Sequence, residues 1–482
     1  MKKHPFKTLL TAFALCVCLL FPAACGGGGS GEGDEWWSNE GELTFDESGN
    51  VVFDNVEIKL STVVAGEDKT AFNSLVARFN RLYDGKINVI PTNIGADVFE
   101  GTVSKQISNN SNAPDLIMSH QKAHRSFVEN KIIQPFDEAM EASGIVVKPE
   151  NFAAGLAQYS SLGYEGKTFS IPIDAQSAAV FYNKKALAKY GGTVPETRSE
   201  LLDACERFSA DPANAGKAPV AWATSESYFI DYVFPTAILQ NGGRFFRTED
   251  YTVDWYKNEE NRKSFLDAIK SFRDLMDKGY AEYGEAASNA LSGFMAGERL
   301  LYFASPWTMR ILVEKYAEQA GVSEEILMDE YLGGASMAGW FAMTDNAAKN
   351  NIFGDSHFFV MSKTVKDVNK KAAICEFIRW FTEDGKTGAD WAEAGHISAS
   401  GIISSSDEYK NNRYVSDYIT AFYGDLDNFR CIGSTPYYET ILSNLGGLLT
   451  DTVGNTKNPS SATDEAALRQ RQDDVNAQIA FF

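Results

Sequence analysis

Apolar residues alternate with polar ones in several short stretches and recur at helical spacing in others. Val56, Ile58 and Leu60 alternate, as expected of a half-buried strand. Helical spacing follows over residues 72–83, and the apolar run 116–118 is typical of a buried parallel strand. Strands that alternate with helices predict an α/β protein with helices on the faces of its sheet.

Further elements are predicted downstream. They are a strand–turn–strand over 169–182, amphipathic helices over 261–278 and 366–381, and a polar helix over 463–480. Thr197 and Glu200 have the spacing of a capping box at the start of another helix.

The N-terminus has the features of a cleaved signal. Three lysines precede the uncharged stretch 8–21, which has the length of a signal h-region and is too short to span a bilayer. The small residues before Cys25 resemble the lipobox of bacterial lipoproteins, although Pro22 replaces the usual branched aliphatic residue. We therefore expect residues 1–24 to be a lipoprotein signal peptide and Cys25 to carry lipid on the extracytoplasmic face of the cell membrane. The alternative is an ordinary secretory signal cut near Ala24.

Residues 25–53 are rich in glycine and serine, then acidic, and contain no basic residue. This composition predicts a flexible, self-repelling tether. It does not account for Trp36 and Trp37, which lie within the same segment.

The 482 residues are too many for one compact core, so more than one domain is expected. The net charge of −21 becomes −24 when residues 1–24 and their three lysines are removed. Such a charge argues against nucleic acid and anionic lipid head groups as partners. Cys205, Cys375 and Cys431 are widely spaced and form neither a disulfide framework nor a zinc motif, although one bridge stays open.

Several motifs carry a resemblance to a known family. They are APDLIM at 113–118, YEGKTFSIP at 164–172, FYNK at 181–184, GTVPET with ELL at 192–202, and FMAGER with SPW at 294–307. In their order and spacing they resemble the family 1 extracellular solute-binding proteins, the relatives of maltose-binding protein.

The resemblance implies a two-lobed α/β fold of the periplasmic-binding-protein type II class, with a ligand cleft between the lobes that a hinge motion closes. Carried over, the first lobe takes residues 54–172 and 359–400, and the second takes 175–357 and 402–482. The implied function is that of the solute-binding subunit of an ABC importer. Such a protein would be a monomer that captures a sugar or oligosaccharide and delivers it to permease and ATPase subunits, without a cofactor.

Sugars offer apolar faces to aromatic rings, and hydroxyls to carboxylates and amides. On this basis and on the resemblance, the predicted ligand-binding residues are Glu67, Asp68, His120, Gln121, Asp174, Trp222, Tyr228, Trp307, Trp340 and Tyr437. Ordinary core or helix packing is the alternative for Trp307 and Tyr437, and a helix N-cap is the alternative for Asp68. The loop after residue 118 lacks an aromatic residue that the maltose relative has, so a sugar other than maltose is expected.

His120 and His124 are four residues apart, which would place both on one helical face, but no metal-protease motif is present and no metal site is predicted. Tyr437 and Tyr438 resemble the paired tyrosines of ferric-binding relatives, yet a stacking role fits this segment better.

No nucleophile-elbow, P-loop or C-x-x-C motif is present, so no enzyme is predicted. Three alternatives stay open: a polyamine or metal ion as the ligand, a glycan-acting enzyme with paired carboxylates, and a surface lipoprotein without a transport role.

Overall fold

The computed structural model describes residues 36–162, 164, 166–190, 192–433, 435–455 and 460–481, which belong to one compact unit. The predicted signal peptide 1–24 and the predicted lipidation site Cys25 lie outside the described residues.

The strands are β1 (Val56–Thr62), β2 (Ile87–Asn93), β3 (Leu116–His120), β4 (Ile133–Gln134), β5 (Ser170–Pro172), β6 (Asp174–Ala175), β7 (Ala179–Asn183), β8 (Val220–Ala221), β9 (Leu301–Ala304), β10 (Leu332–Ala335), β11 (Ile352–Phe353), β12 (His357–Ser362), β13 (Ile397–Ser398) and β14 (Phe429–Arg430).

The α-helices are α1 (Gly66–Leu82), α2 (Ala96–Ser108), α3 (His124–Glu129), α4 (Asp137–Ser143), α5 (Ala154–Ala157), α6 (Lys184–Tyr190), α7 (Arg198–Ala210), α8 (Phe234–Gln240), α9 (Glu259–Asp277), α10 (Ala287–Met295), α11 (Met309–Ala320), α12 (Glu324–Glu330), α13 (Val368–Glu383), α14 (Gly385–Ala392), α15 (Gly401–Ser405), α16 (Asp407–Lys410), α17 (Thr420–Tyr423), α18 (Tyr438–Thr452) and α19 (Ser461–Phe481). Short 3₁₀ turns occur at Gln121–Ala123, Pro149–Asn151, Pro212–Asn214, Pro306–Thr308 and Leu426–Asn428, and π-helical turns at Phe229–Val233 and Val415–Ile419.

Two main sheets organise the chain. The first has the order β2-β1-β3-β12-β4, with β5 also paired to β12; β1 runs parallel to β2 and β3, whereas β12 is antiparallel to β3, β4 and β5. The second has the order β10-β7-β9-β8. Two small pairs, β6 with β13 and β11 with β14, accompany them. Strands of the first sheet thus come from both before and after the segment that builds the second.

The predicted elements are present because their apolar positions are buried as the patterns require. Ile58 and Leu60 of β1 are buried in one core with Phe72 and Phe79 of α1. The predicted helices 261–278, 366–381 and 463–480 correspond to α9, α13 and α19. At the start of α7, the Thr197 hydroxyl accepts a hydrogen bond from the Glu200 N–H, and the Glu200 carboxylate accepts one from the Glu196 N–H.

Residues 36–40, within the predicted tether, pack on the first sheet and its helices. The Trp36 indole N–H donates to the Ile133 carbonyl at 2.8 Å, and the Trp37 indole N–H donates to the Glu138 carboxylate at 3.0 Å. The backbone of Glu40 pairs with Lys366 and Val368. The prediction of a flexible tether is therefore wrong for this part, because two large indole rings contribute apolar contact that the acidic composition did not reveal.

Cys205, Cys375 and Cys431 are buried free thiols, so the disulfide that the sequence left open does not form among them. Burial raises the pKa of Cys205 and of Cys375 to about 12. Over the part of the chain that the structure describes, no helix is long and apolar enough to cross a membrane.

Candidate functional site

Polar side chains converge where the chain passes between the two sheets. Asp174 is the first residue of β6, which pairs with β13. His396 immediately precedes β13. His357 begins β12 and is the register partner of His120 at the end of β3. We call Asp174, His357 and His396 the crossing cluster.

Asp174 is fully buried, and three donors reach its carboxylate. Oδ1 accepts from the His357 N–H at 2.8 Å, while Oδ2 accepts from His357 Nδ1 at 2.9 Å and from the Trp391 indole N–H at 2.7 Å. Burial alone would raise the pKa of Asp174, but the imidazoles of His357 and His396 and these hydrogen bonds lower it below its usual value. The carboxylate is therefore held in its charged form.

Four histidines lie in this region, at positions 120, 124, 357 and 396. The ring of His120 stacks on that of His357 with 4.9 Å between centroids. Burial lowers the pKa of His120 well below the usual value, and the neighbouring imidazole of His357 lowers it further. Burial also lowers the pKa of His124 to about 3. For His357, burial lowers the pKa, but the Asp174 carboxylate opposes this and the net direction is upward.

Asp68, in the first turn of α1, reaches the same place. Asp68 Oδ2 lies 3.4 Å from His396 Nε2, and His396 Nδ1 lies 3.4 Å from Asp174 Oδ2. The structure thus brings the predicted residues Asp68, His120 and Asp174 together through His357 and His396. Gln121 is buried, and neither polar atom of its side chain has a hydrogen-bond partner among the described residues. The side chain of Glu67 lies outside the described residues.

A cavity of about 430 Å³ adjoins His120; we call it the α2–α18 cavity. It is lined by Val63, Ala96, Phe99, Glu100, Gly101, Ser119, His120, Lys122, Tyr438 and Glu439. Cavities of this size accept small ligands.

Side chains from the two walls of this cavity interact across it. The Tyr438 hydroxyl at the start of α18 donates to Glu100 Oε1 of α2 at 2.7 Å. Lys122 Nζ lies 5.0 Å from the centre of the Tyr438 ring and 3.7 Å from Glu439 Oε1.

Carboxyl groups outnumber cations around the cavity. Burial raises the pKa of Glu100 and of Asp355, and it raises the pKa of Asp231 to about 6. Lys122 opposes all three shifts without cancelling them. These carboxyl groups therefore lack the compensation that Asp174 receives.

The predicted aromatic residues are dispersed. Trp307 is half-buried in the 3₁₀ turn Pro306–Thr308 and lines a separate cavity of about 620 Å³ with Arg78 and Glu314. Gly395 allows that turn to pack closely against the segment that contains His396. A Cβ atom at position 395 would lie only 2.6 Å from the carbonyl carbon of Pro306, which is too close for any other residue. Tyr437 is half-buried next to Tyr251, with 6.2 Å between ring centroids.

Trp222, Tyr228 and Trp340 lie in the core beside the second sheet. Their polar atoms are hydrogen-bonded: Trp222 donates to the Glu282 carbonyl, Tyr228 to that of Phe303, and Trp340 to that of Pro195. The two indoles are fully buried, so in this conformation they present no ring face to a ligand.

Residues that sequence reasoning did not select complete the two groups. They are His357, His396 and Trp391 around Asp174, then Glu100, Lys122, Tyr438 and Glu439 in the lining of the cavity, and finally Asp231 and Asp355, which interact electrostatically with Lys122. The sequence offered a signal for two of these residues: Tyr438 and Lys122 are the immediate chain neighbours of Tyr437 and Gln121, which were predicted to bind ligand.

Residues 65–387 match the sequence profile of a family described as bacterial extracellular solute-binding protein. This chain belongs to that family. A maltotriose-binding protein of Pyrococcus abyssi (strain GE5 / Orsay) is 23% identical over 374 residues, which cover 75% of this chain and 70% of the relative.

Solved structures share the fold. The sugar-binding protein MalE from Xanthomonas citri superposes with a TM-score of 0.71 at 17% identity, covering 88% of this chain and 98% of that one. The cyclic alpha-maltosyl-1,6-maltose binding protein from Arthrobacter globiformis gives 0.65 at 16% identity, covering 89% and 100%. The predicted two-lobed type II α/β fold and the resemblance to relatives of maltose-binding protein are thereby confirmed.

Proposed function

We propose that this solute-binding protein captures a sugar or short oligosaccharide between its lobes and delivers it to the permease and ATPase subunits of an ABC importer. The α2–α18 cavity carries the proposal. It combines an aromatic ring at Tyr438 with hydrogen-bonding groups at Glu100, His120 and Lys122, the combination that sugar faces and hydroxyls require.

The lobe boundaries remain those predicted from the sequence: 54–172 with 359–400, and 175–357 with 402–482. On that division, α2 and β3 belong to the first lobe and α18 to the second, so the cavity would lie in the cleft. A ligand in the cavity would contact both lobes. It would therefore bind the closed conformation more tightly than the open one, and would shift the equilibrium between them towards closure. In this proposal Cys25 anchors the chain by lipid outside the cytoplasm, and no catalytic role is assigned.

The relatives support a glucan-type ligand. The proteins named above bind, by their names, maltotriose and a cyclic maltosyl-maltose. That a sugar other than maltose is preferred stays a prediction from the sequence.

The experiment is a binding titration of residues 26–482 with linear and cyclic maltooligosaccharides, other disaccharides and spermidine, read by thermal shift and calorimetry. A sugar at about one hundred times its dissociation constant stabilises the native state by roughly 2.7 kcal/mol. We expect one sugar class to bind and Tyr438→Ala to abolish binding. Tyr331→Ala is the matched control, because it removes a half-buried tyrosine under Lys185 that does not line the cavity. Wild-type protein that binds no sugar would refute the proposal.

A polyamine is the second candidate, and the surplus of carboxyl groups favours it. Glu100, Asp231 and Asp355 all have raised pKa values beside the single cation Lys122. A cationic ligand would relieve their mutual repulsion. Binding of spermidine with no response to sugars would replace the first proposal with this one. A metal ion as the transported solute, a glycan-acting enzyme and a non-transport lipoprotein remain predictions from sequence.

A further inference from the structure

The crossing cluster is a compact set of metal-ligating groups that the proposed sugar site does not use. Asp174, His357 and His396 each offer one ligand atom, and these atoms lie within 4.8 Å of one another. All three side chains are buried. They come from three separate segments: β6, the start of β12, and the residue before β13.

His396 has the least satisfied side chain of the three. Its imidazole is fully buried, yet neither ring nitrogen has a hydrogen-bond partner among the described residues. Carboxylate oxygens of Asp174 and Asp68 lie 3.4 Å from its two nitrogens, one on each side. The ring also stacks on Trp391 with 4.2 Å between centroids and 4° between planes. Buried polar atoms without partners are rare in native proteins, and a bound ion is one way in which such atoms are satisfied.

The imidazole of His357 has a hydrogen-bond partner, whereas the imidazole of His396 has none among the described residues. His357 Nδ1 pairs with Asp174 Oδ2 at 2.9 Å, whereas the separation from His396 Nδ1 to the same oxygen is 3.4 Å, beyond a good N–H···O contact. In a tetrahedral site with bonds of about 2.0–2.1 Å, neighbouring ligand atoms lie about 3.3 Å apart. The two separations from Asp174 Oδ2, 2.9 and 3.4 Å, lie on either side of this value, and all three ligand atoms lie within 4.8 Å of one another.

We propose that Asp174, His357 and His396 bind a divalent transition-metal ion of the zinc type at the crossing between the two sheets. Imidazole nitrogens with a carboxylate oxygen suit zinc and its neighbours in the first transition row. The surrounding contacts would orient the ligands: the Trp391 indole N–H and the His357 backbone N–H both donate to the Asp174 carboxylate and hold it in place.

No metal site is predicted from the sequence, in which only His120 and His124 have a spacing that could suggest one. The structure separates that pair. His124 Nε2 lies 2.8 Å from the Ser119 hydroxyl, and His120 stacks on His357. The metal site arises instead from residues 174, 357 and 396, whose sequence separations carry no motif.

Bound metal would join three chain segments at the crossing and stabilise the native state, because an ion that binds only the folded form raises the free energy of unfolding. The inference is independent of the proposed sugar site. Failure of one leaves the other untouched, because one is measured with metal and the other with sugar.

The test uses residues 26–482, purified with a tag free of histidine, stripped with EDTA and dialysed. Co²⁺ is titrated with the visible absorption as the readout, and Zn²⁺ is titrated by calorimetry. We expect one ion per chain and cobalt bands typical of nitrogen and oxygen ligation. His396→Gln should lose the saturable signal, and Trp391→Phe should weaken binding by roughly 10–100-fold.

His124→Gln is the matched control, since it replaces a fully buried histidine outside the cluster and should retain binding. Circular dichroism of each variant verifies that the fold is intact, and the Trp391→Phe titration decides the matter if His396→Gln does not fold. Wild-type protein that takes up neither ion at one per chain would overturn the inference. So would stoichiometric binding that survives in a folded His396→Gln variant.

Discussion

The crossing cluster and the α2–α18 cavity are both polar, both partly withdrawn from water, and both adjacent to His120. They differ in how their buried carboxyl groups are stabilised. In the crossing cluster, donors surround the carboxylate of Asp174 and its pKa is lowered. Around the cavity, the carboxyl groups of Glu100 and Asp231 face other acids and a single lysine, and their pKa values are raised. Donors within the protein compensate the Asp174 carboxylate, whereas the carboxyl groups around the cavity are left to be compensated by a ligand.

Removing Asp174 should give the largest effect. Asp174→Ala leaves the buried His357 and Trp391 donors without their acceptor, so the free energy of unfolding should fall by about 3–5 kcal/mol. Urea unfolding in the presence of EDTA measures this without any contribution from metal. Asp345→Ala, at an exposed ion pair with Lys349, is the control and should change stability little. Equal effects from both variants would contradict the claim that the buried donors of His357 and Trp391 depend on Asp174.

Removing the charge of Asp231 should raise the free energy of unfolding, whereas removing Asp174 should lower it. Its folded pKa of about 6 lies above the ordinary 3.8, so the native state binds the proton more tightly, and wild-type stability falls as pH rises from about 4 to about 6. Asp231→Asn should therefore be more stable than wild type at pH 7, by about 3 kcal/mol, with no advantage near pH 4.

Thermal unfolding of wild type and Asp231→Asn across this pH range is the measurement. Asp203→Asn, at an exposed position of α7, should follow the wild-type curve. A constant difference between Asp231→Asn and wild type at all pH values would show that the effect is not ionisation.

The smallest expected effect is at the contact across the cavity. Tyr438→Phe removes the hydroxyl that donates to Glu100 but keeps the ring. One hydrogen bond contributes about 1 kcal/mol, so sugar affinity should fall by roughly tenfold or less if this bond forms in the closed state. Calorimetry with the sugar identified for wild type measures it, and Tyr331→Phe is the control. Unchanged affinity would mean that this hydroxyl has no part in closure or recognition.

Several of the longest elements of the fold could be predicted from the sequence, because periodicity reports which face of an element is buried. β1, β3, α9, α13 and α19 follow this rule. The segment 36–40 was not predicted to pack, because it lies in an acidic stretch and the partners of Trp36, Ile133 and Phe169, lie 97 and 133 residues away in the chain.

The candidate site was predictable only in part. Asp68, His120 and Asp174 could be selected because each follows or interrupts a strand, where polar residues stand out. Trp222 and Trp340 look the same in sequence as a ligand-stacking tryptophan, but a hydrophobic ring can serve either core or cleft, and packing places both in the core.

The sequence by itself determined the α/β class, the family and the places where strands end, since these depend on local spacing and on motif order. The tertiary structure alone decided that residues 174, 357 and 396 meet, and that Glu100 of α2 faces Tyr438 of α18. The physical reason is that β12 returns to the first sheet after the chain has built the second, so groups far apart in sequence become neighbours at the crossing. Whether a buried carboxylate is compensated depends on those neighbours and not on the residues beside it in the chain.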